Sequence, residues 1–285
     1  MGREPTPTIR RWQLGQELRR HREAAKVTPR EAAAEIEVSQ ATLSKIETGR
    51  QQVKPLYVKH LARHYDLGYE VRDELLDLVD AANQPEWFAS LAKYVPNWFR
   101  QYLGYEAAAS VIRTYHAELV DGLLQTPEYV RAVALVNRPD ASDIALDKAV
   151  ALRRGRQERV ADGNGPVIHS VLNEAVLRRA VGGRAVMRDQ LMRLVKLSEL
   201  PNVTIQVLPF SIDAHPAMTS PFTLLGFAEP WQRMSTVYLE SGRGALYLEG
   251  KADLDRYGWM FTELTTLALD PKDTHDLLVT VAGDL

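Results

Sequence analysis

The strongest constraint on this chain is a pair of complete helix boundaries separated by only three residues. Thr28-Pro29-Arg30-Glu31 joins a capping box to a proline at the first helical position. The Thr28 hydroxyl can accept from the amide of residue 31, Glu31 can reach back to the amide of residue 28, and proline sacrifices no hydrogen bond there. After Glu37-Val38-Ser39 a second helix starts, with Ser39 as N-cap and Gly49 just past its last periodic residue. Glycine adopts a left-handed C′ conformation at little cost. Leu43 and Ile46 share one face of this second helix, with Val38 just ahead of the cap. Gln40, Ala41, Ser44 and Lys45 share the other face and are not needed for packing. Ala32, Ala33 and Ala34 keep the first helix slim, so the second can cross it closely.

Two helices joined by so short a turn form a helix-turn-helix, whose second helix enters a DNA major groove. Upstream, Leu14, Leu18 and the alanines near position 24 share a face, while Arg19, Arg20, Arg22 and Lys26 supply charge. Downstream, Leu56, Leu61, Ala62 and Tyr65 are spaced to close a small core, and Leu75, Leu76 and Val79 mark a fifth helix that Asn83-Gln84-Pro85 breaks. The expected domain is all-α, with five helices over residues 12–83. It resembles the phage-repressor or xenobiotic-response-element (XRE) family of helix-turn-helix domains through Leu18-Arg19, Thr28, Glu31-Ala32-Ala33, Val38-Ser39, Leu43-Ser44-Lys45-Ile46-Glu47 and Gly49. Glu37 stands where that family usually has glycine at a positive-φ turn, a departure worth roughly 1 kcal/mol of backbone strain.

Groove chemistry assigns roles along the second helix. Gln40 can pair bidentately with adenine, Lys45 can reach guanine acceptors, and the Ala41 methyl can touch a thymine methyl. Thr28, Arg30, Thr42, Ser44 and Arg50 are better placed for phosphate, which gives register rather than sequence. Glu47 is expected to anchor the fold by pairing with a basic neighbour. The charge distribution agrees with this division. Residues 1–65 hold 13 Lys and Arg against 7 Asp and Glu, and the remaining 220 hold 22 against 30. A basic small domain on an acidic larger one confines phosphate-backbone binding to one end.

The rest of the chain divides into an arm, a connector and a second domain. Residues 1–11, with Arg3, Arg10 and Arg11 among prolines, are expected to be a mobile basic arm. Residues 84–104 crowd Trp87, Phe88, Tyr94, Trp98, Phe99 and Tyr102 into an aromatic helical connector. From residue 105 to 285, helical and strand-like patterns mix. Strand-like β-branched content falls at 109–115, 166–172, 203–208, 222–227, 235–239 and 245–248; Tyr238-Leu239-Glu240 and Tyr247-Leu248-Glu249 flank Ser241-Gly242-Arg243-Gly244 like a hairpin. Helices are predicted over 147–161, with Arg153, Arg154, Arg156 and Arg159 on a basic side, and over 186–200, 251–269 and 273–282. A helix opens at Thr126-Pro127-Glu128, and a short one runs from Asn173-Glu174 to Gly182-Gly183. This order predicts an α+β domain with a mixed or antiparallel sheet.

This second part resembles the uncharacterised C-terminal domain of actinobacterial, antitoxin-like transcriptional regulators. The matching stretches include Gly122-Leu123-Leu124-Gln125-Thr126-Pro127-Glu128-Tyr129, Arg156-Gln157, Asn173-Glu174-Ala175-Val176-Leu177-Arg178-Arg179, Leu208-Pro209-Phe210 and Val237-Tyr238-Leu239-Glu240. Asp121 stands where the family commonly has proline. The resemblance implies a regulator often paired with a small protein encoded nearby, and no known chemistry.

Enzymatic and metal chemistry find little support. No Gly-x-Ser-x-Gly elbow is present, Gly163-Asn164-Gly165-Pro166 and Gly182-Gly183 lack the Gly-Lys-Ser/Thr ending of a phosphate loop, and cysteine is absent. His116, His169 and His215 are scattered, and read as structural rather than as metal ligands. No cofactor is expected. Arg153, Arg156 and Gln157, with Glu174 and Glu240, could line a pocket for an acidic or peptide ligand, with a salt-bridge network as the plainer reading. With no stretch of about 18 apolar residues and no signal-peptide pattern, a cytoplasmic protein without membrane contact is expected.

The sequence therefore predicts a non-enzymatic regulator that binds double-stranded operator DNA. Its second domain would sense a ligand or partner protein. A homodimer on half-sites about one helical turn apart, roughly 34 Å, would supply the affinity that one such domain lacks. The competing expectation is an antitoxin-like adaptor that neutralises a small partner protein and uses DNA binding for autoregulation.

Overall fold

A computed structural model describes residues 5–160 and 165–285. The chain divides into two units, Met1–Ala89 and Ser90–Leu285.

The first unit holds five helices: α1 (Pro7–Ala24), α2 (Pro29–Glu35), α3 (Gln40–Glu47), α4 (Pro55–His64) and α5 (Tyr69–Ala82). Leu14 and Leu18 of α1, Ala32 and Ala33 of α2, Leu43 and Ile46 of α3, Val58 and Leu61 of α4, and Leu75 and Val79 of α5 form one buried cluster. The caps are those expected from sequence. Thr28 and Glu31 complete the capping box, and Ser39 Oγ accepts from the Thr42 amide. The N-terminal arm is corrected in part. Thr6 caps α1 ahead of Pro7, so residues 7–11 are helical, and the Thr8 hydroxyl and Arg11 Nη2 both donate to Glu86 Oε1 (2.6 and 3.3 Å). Residues 1–4 of the expected arm lie outside the described residues.

Four of the helices end in the same way. At α1, α2, α3 and α4 the C′ residue is left-handed: Lys26 (φ 57°), Glu37 (φ 55°), Gly49 (φ 70°) and Asp66 (φ 55°). Each end carries the paired hydrogen bonds of a Schellman motif, such as Val38 N to Ala33 O (2.9 Å) with Glu37 N to Ala34 O (3.1 Å). The positive φ expected at Glu37 is therefore present, at one of three such sites without glycine.

The second unit is α+β, as expected. Its elements are α6 (Asn97–Ala108), β1 (Val111–His116), α7 (Pro127–Asn137), α8 (Asp143–Gln157), β2 (Val167–Asn173), α9 (Glu174–Arg178), α10 (Arg184–Ser198), β3 (Val203–Leu208), β4 (Phe222–Gly226), β5 (Thr236–Ser241), β6 (Gly244–Leu248), α11 (Lys251–Leu267) and α12 (Pro271–Gly283). The strands form one mixed sheet in the order β3-β2-β1-β4-β5-β6. The β1–β2 and β2–β3 pairs are parallel; the other three are antiparallel. Tyr115, Val171, Phe222 and Val237 on one face pack with Met260, Phe261 and Leu264 of α11. The outer edge of β3 is closed by the link between α11 and α12 together with the first turn of α12. Val207 N donates to the Thr274 hydroxyl (3.0 Å), and Leu269 N donates to Val207 O (2.9 Å). Among the described residues that leaves β6, at the end of the expected hairpin, as the edge without a further strand.

Two helices, α8 and α9, depart most from the sequence pattern. α8 begins at Asp143 because Ser142 caps it, donating no side chain to the core but accepting from the Ala145 amide (3.3 Å). It ends at Gln157, short of the expected Ala161, which with the turn residues Gly163-Asn164 lies outside the described residues. α9 stops at Arg178, before Gly182-Gly183, where the φ angles of 75° and 94° turn the chain into α10.

Candidate recognition helix and C-terminal cavity

In the first unit, α1 crosses α3 at a glycine. A Cβ on Gly15 would lie 2.4 Å from Ile46 O and 2.7 Å from Glu47 O, so only a bare Cα permits this approach. Gln16 Nε2 donates to Glu47 O (3.1 Å), satisfying a carbonyl at the C-terminal end of α3. Arg22 grips the Glu47 carboxylate with both prongs, Nε to Oε1 at 2.6 Å and Nη2 to Oε2 at 3.0 Å, and Nη1 donates to Val27 O (3.1 Å). Both side chains are buried. Glu47 thus anchors the fold, and Arg22 is part of the core rather than of a basic surface. Arg19 and Arg20 pair on the surface with Glu23 and Glu17.

With its inner face fixed, α3 presents Gln40, Ala41, Ser44 and Lys45 as exposed side chains. Arg30 and Arg50, flanking α2 and α3, are exposed as well. The two threonines expected at phosphate are differently engaged. The Thr28 hydroxyl donates to Glu31 Oε2 (2.7 Å), and its amide donates to the same oxygen (2.8 Å). Thr42 Oγ1 lies 3.0 Å from Ser39 Oγ in the cap. Local hydrogen bonding thus occupies both side chains at helix starts.

In the second unit, α6, α8 and the turn after β1 enclose a charged cluster. Arg156 of α8 forms a buried bidentate pair with Glu106 of α6, Nε to Oε1 at 2.7 Å and Nη2 to Oε2 at 2.6 Å. Its guanidinium lies 5.5 Å from the ring centroids of both Phe99 and Tyr102. Arg159 Nη1 donates to Glu106 O (2.6 Å) and Nη2 to Ala109 O (3.2 Å). The expected basic side of α8 is therefore divided: Arg156 and Arg159 bind α6, whereas Arg154 is exposed. Asp121 is buried beside them. It caps the turn at Leu123 N (2.8 Å), accepts from the Thr114 hydroxyl (2.9 Å), and lies 3.6 Å from His116 Nε2. Burial would raise its carboxyl, but the His116 hydrogen bond and charge, with the Leu123 amide and Thr114 hydroxyl, hold it well below the usual carboxylate range. Asp121 in place of proline thus supplies an acceptor to the strand end and the turn together.

A cavity opens at the C-terminal end of β1, in two lobes of about 620 and 470 Å³ that share Phe99, Val133, Asn137, Arg153, Arg156 and Glu240. Of the five residues expected at a pocket, it brings together Arg153, Arg156 and Glu240. Gln157 instead donates Nε2 to Gly122 O (3.2 Å) and Gln125 O (2.8 Å), bracing the turn. Glu174 is elsewhere, paired with Arg178 (2.9 Å) and accepting from Phe210 N (2.9 Å). Sequence reading missed Phe99, Tyr102, Gly122 and Tyr238 as lining residues. The Gly-Leu-Leu-Gln turn was a visible signal, but its neighbours come from α6, α8 and β5.

Histidines are engaged structurally. His169 Nε2 meets Gln206 Oε1 at 2.7 Å and its ring stands edge-on to Phe261; His215 Nε2 lies 3.3 Å from the Tyr115 hydroxyl. Among the described residues, no helix is long and apolar enough to cross a membrane.

Comparison with known families agrees with the two-part division. Residues 13–75 match a helix-turn-helix domain, and residues 99–280 match the family described as a domain of unknown function (DUF5753). No curated protein and no solved structure matches the chain.

Proposed function

The chain belongs to the DUF5753 family and carries a helix-turn-helix domain, and from that premise we propose that it is a sequence-specific transcriptional regulator with a ligand-sensing C-terminal domain. The observation that carries this reading is α3, whose inner face is fixed by Arg22–Glu47 while Gln40, Ala41, Ser44 and Lys45 stand exposed. Gln40 reads adenine, Lys45 reads guanine, and Ala41 contacts a thymine methyl. Arg30, Ser44 and Arg50 contact phosphate and set register, whereas Thr28 and Thr42 support the helix starts. The domain is of the phage-repressor type and acts as a homodimer on two half-sites. The C-terminal domain binds rather than catalyses. The arginine-bearing cavity favours a small ligand over an antitoxin-like role in neutralising a protein partner, which would need a broad surface.

The test is binding to DNA upstream of the protein's own coding region at two salt concentrations, for wild type and Gln40→Ala/Lys45→Ala. Tight wild-type binding at one site, reduced to a nonspecific level in the double variant, is the expected result. A steep loss with salt would assign much of the affinity to phosphate contacts. Equal, weak binding by both proteins would overturn the assignment of α3.

A further inference from the structure

Arg153 differs from every other arginine of the charged cluster. It is partly buried on α8 and lines both lobes of the cavity, yet among the described residues it forms no ion pair and no hydrogen bond. Its neighbours' carboxylates are already committed. Glu106 is held by Arg156 through both oxygens, and Asp121 by Leu123 N, Thr114 and His116. Glu240 lines the same cavity but accepts from the Tyr238 hydroxyl (3.0 Å). Burial, with the Arg156 charge beside it, lowers the Arg153 pKa to about 10, against the nearby charges of Glu106 and Asp121, which raise it.

The fold makes room for this guanidinium at a cost. A Cβ on Gly122 would lie 1.9 Å from Arg153 Nη1, so the side chain passes directly over a bare Cα. A partly buried guanidinium with no hydrogen-bonded partner of its own is left free to take an anionic ligand. The lining mixes polar and apolar groups, and Phe99, Tyr102 and Tyr238 supply its flat aromatic part beside Arg153. Phe99 and Tyr102 stack at 5.1 Å, and Tyr238 lies 4.3 Å from Tyr102. Either lobe is within the roughly 300–1,000 Å³ of small-molecule sites.

We propose that this cavity binds a small organic acid, its carboxylate on the Arg153 guanidinium and its flat apolar body against Phe99, Tyr102 and Tyr238. The guanidinium fork matches a carboxylate in two-point geometry. The inference rests on the reading of the C-terminal domain as a ligand sensor, and names the class of ligand.

Calorimetry on the full chain without DNA tests it independently of operator recognition. The probes are benzoate, phenylacetate and indole-3-acetate, each beside its neutral carboxamide, with inorganic phosphate as a further anion. The expected result is saturable binding of at least one acid, with the carboxamide at least tenfold weaker. Arg153→Gln should weaken that acid at least tenfold and Arg154→Gln, an exposed neighbour on the same helix, should not. Retention of the wild-type melting temperature by Arg153→Gln would confirm that the loss is local. Failure of all three acids to saturate, equal binding of acid and carboxamide, or unchanged binding by Arg153→Gln would each overturn the proposal. Binding of phosphate alone would overturn the organic-acid assignment. If acids bind but leave operator affinity unchanged, the site stands and its role as the sensor falls.

Discussion

Arg22 and Glu47 meet as a buried two-point ion pair, 2.6 and 3.0 Å long, that fastens the C-terminal end of α3 to α1. The position of the exposed face of α3 depends on it, because α3 has only eight residues and its N-terminal cap is solvent-exposed.

Replacing Glu47 by Ala leaves Arg22 charged and buried with the Val27 carbonyl and the more distant Glu23 carboxylate (3.8 Å) for company. Removing one partner of a buried pair costs about 3–5 kcal/mol. Chemical denaturation should show a loss of that size, and operator binding should weaken with it. A loss under about 1 kcal/mol, the ordinary worth of an exposed pair, would mean that water reaches the site.

Glu37 pays for a left-handed C′ position without glycine. Left-handed backbone costs an L-residue about 1–2 kcal/mol, and glycine returns about 0.5–1 kcal/mol of that as lost chain freedom on folding. Glu37→Gly should therefore stabilise the first unit by about 0.5–1 kcal/mol, with DNA binding retained. Destabilisation would show that the Glu37 side chain contributes something that its exposed position does not reveal.

At Gly122, an added methyl collides with Arg153 Nη1 and comes within 2.9 Å of Arg156 Nη1. Gly122→Ala is expected to lose about 1–3 kcal/mol, the usual range for overpacking. Gly122→Ala/Arg153→Ala should lose less than the sum of the two single changes, because the collision is gone in the double variant. Additive losses would place the strain elsewhere in the turn.

Burial lowers the His169 pKa below its ordinary 6.5, against the hydrogen bond to Gln206, which raises it. The folded protein therefore keeps His169 neutral where the unfolded chain takes up a proton. Stability is fully present above about pH 6.5 and falls as the pH drops below it. Melting temperature measured from pH 7.5 to 5 should decline. The decline should be shallower in His169→Gln, though not absent, since burial lowers His215 and His21 in the same direction. An unchanged slope in the variant would remove His169 as a contributor.

The sequence by itself determined what is decided within a turn of helix or a hairpin. The capping of α2 by Thr28 and Glu31, the Ser39 cap of α3, the start of α7 at Pro127 after its Thr126 cap and the β5–β6 hairpin all follow from residues within about four positions of each other, whereas the positive φ at Glu37 was implied by the family resemblance. The same local signal at Thr6-Pro7 marks the start of α1, though the surrounding arginines and prolines there read as an arm. Only the tertiary structure decided how the charges are used. Arg22 and Glu47 are 25 residues apart, Arg156 and Glu106 are 50 apart, and nothing in the spacing of α8 distinguishes Arg156, which is paired, from Arg153, which is not. A charged side chain has many candidate partners along a sequence, and folding selects among them by burial, because a buried charge must find a hydrogen-bonded partner or a ligand while an exposed one need not.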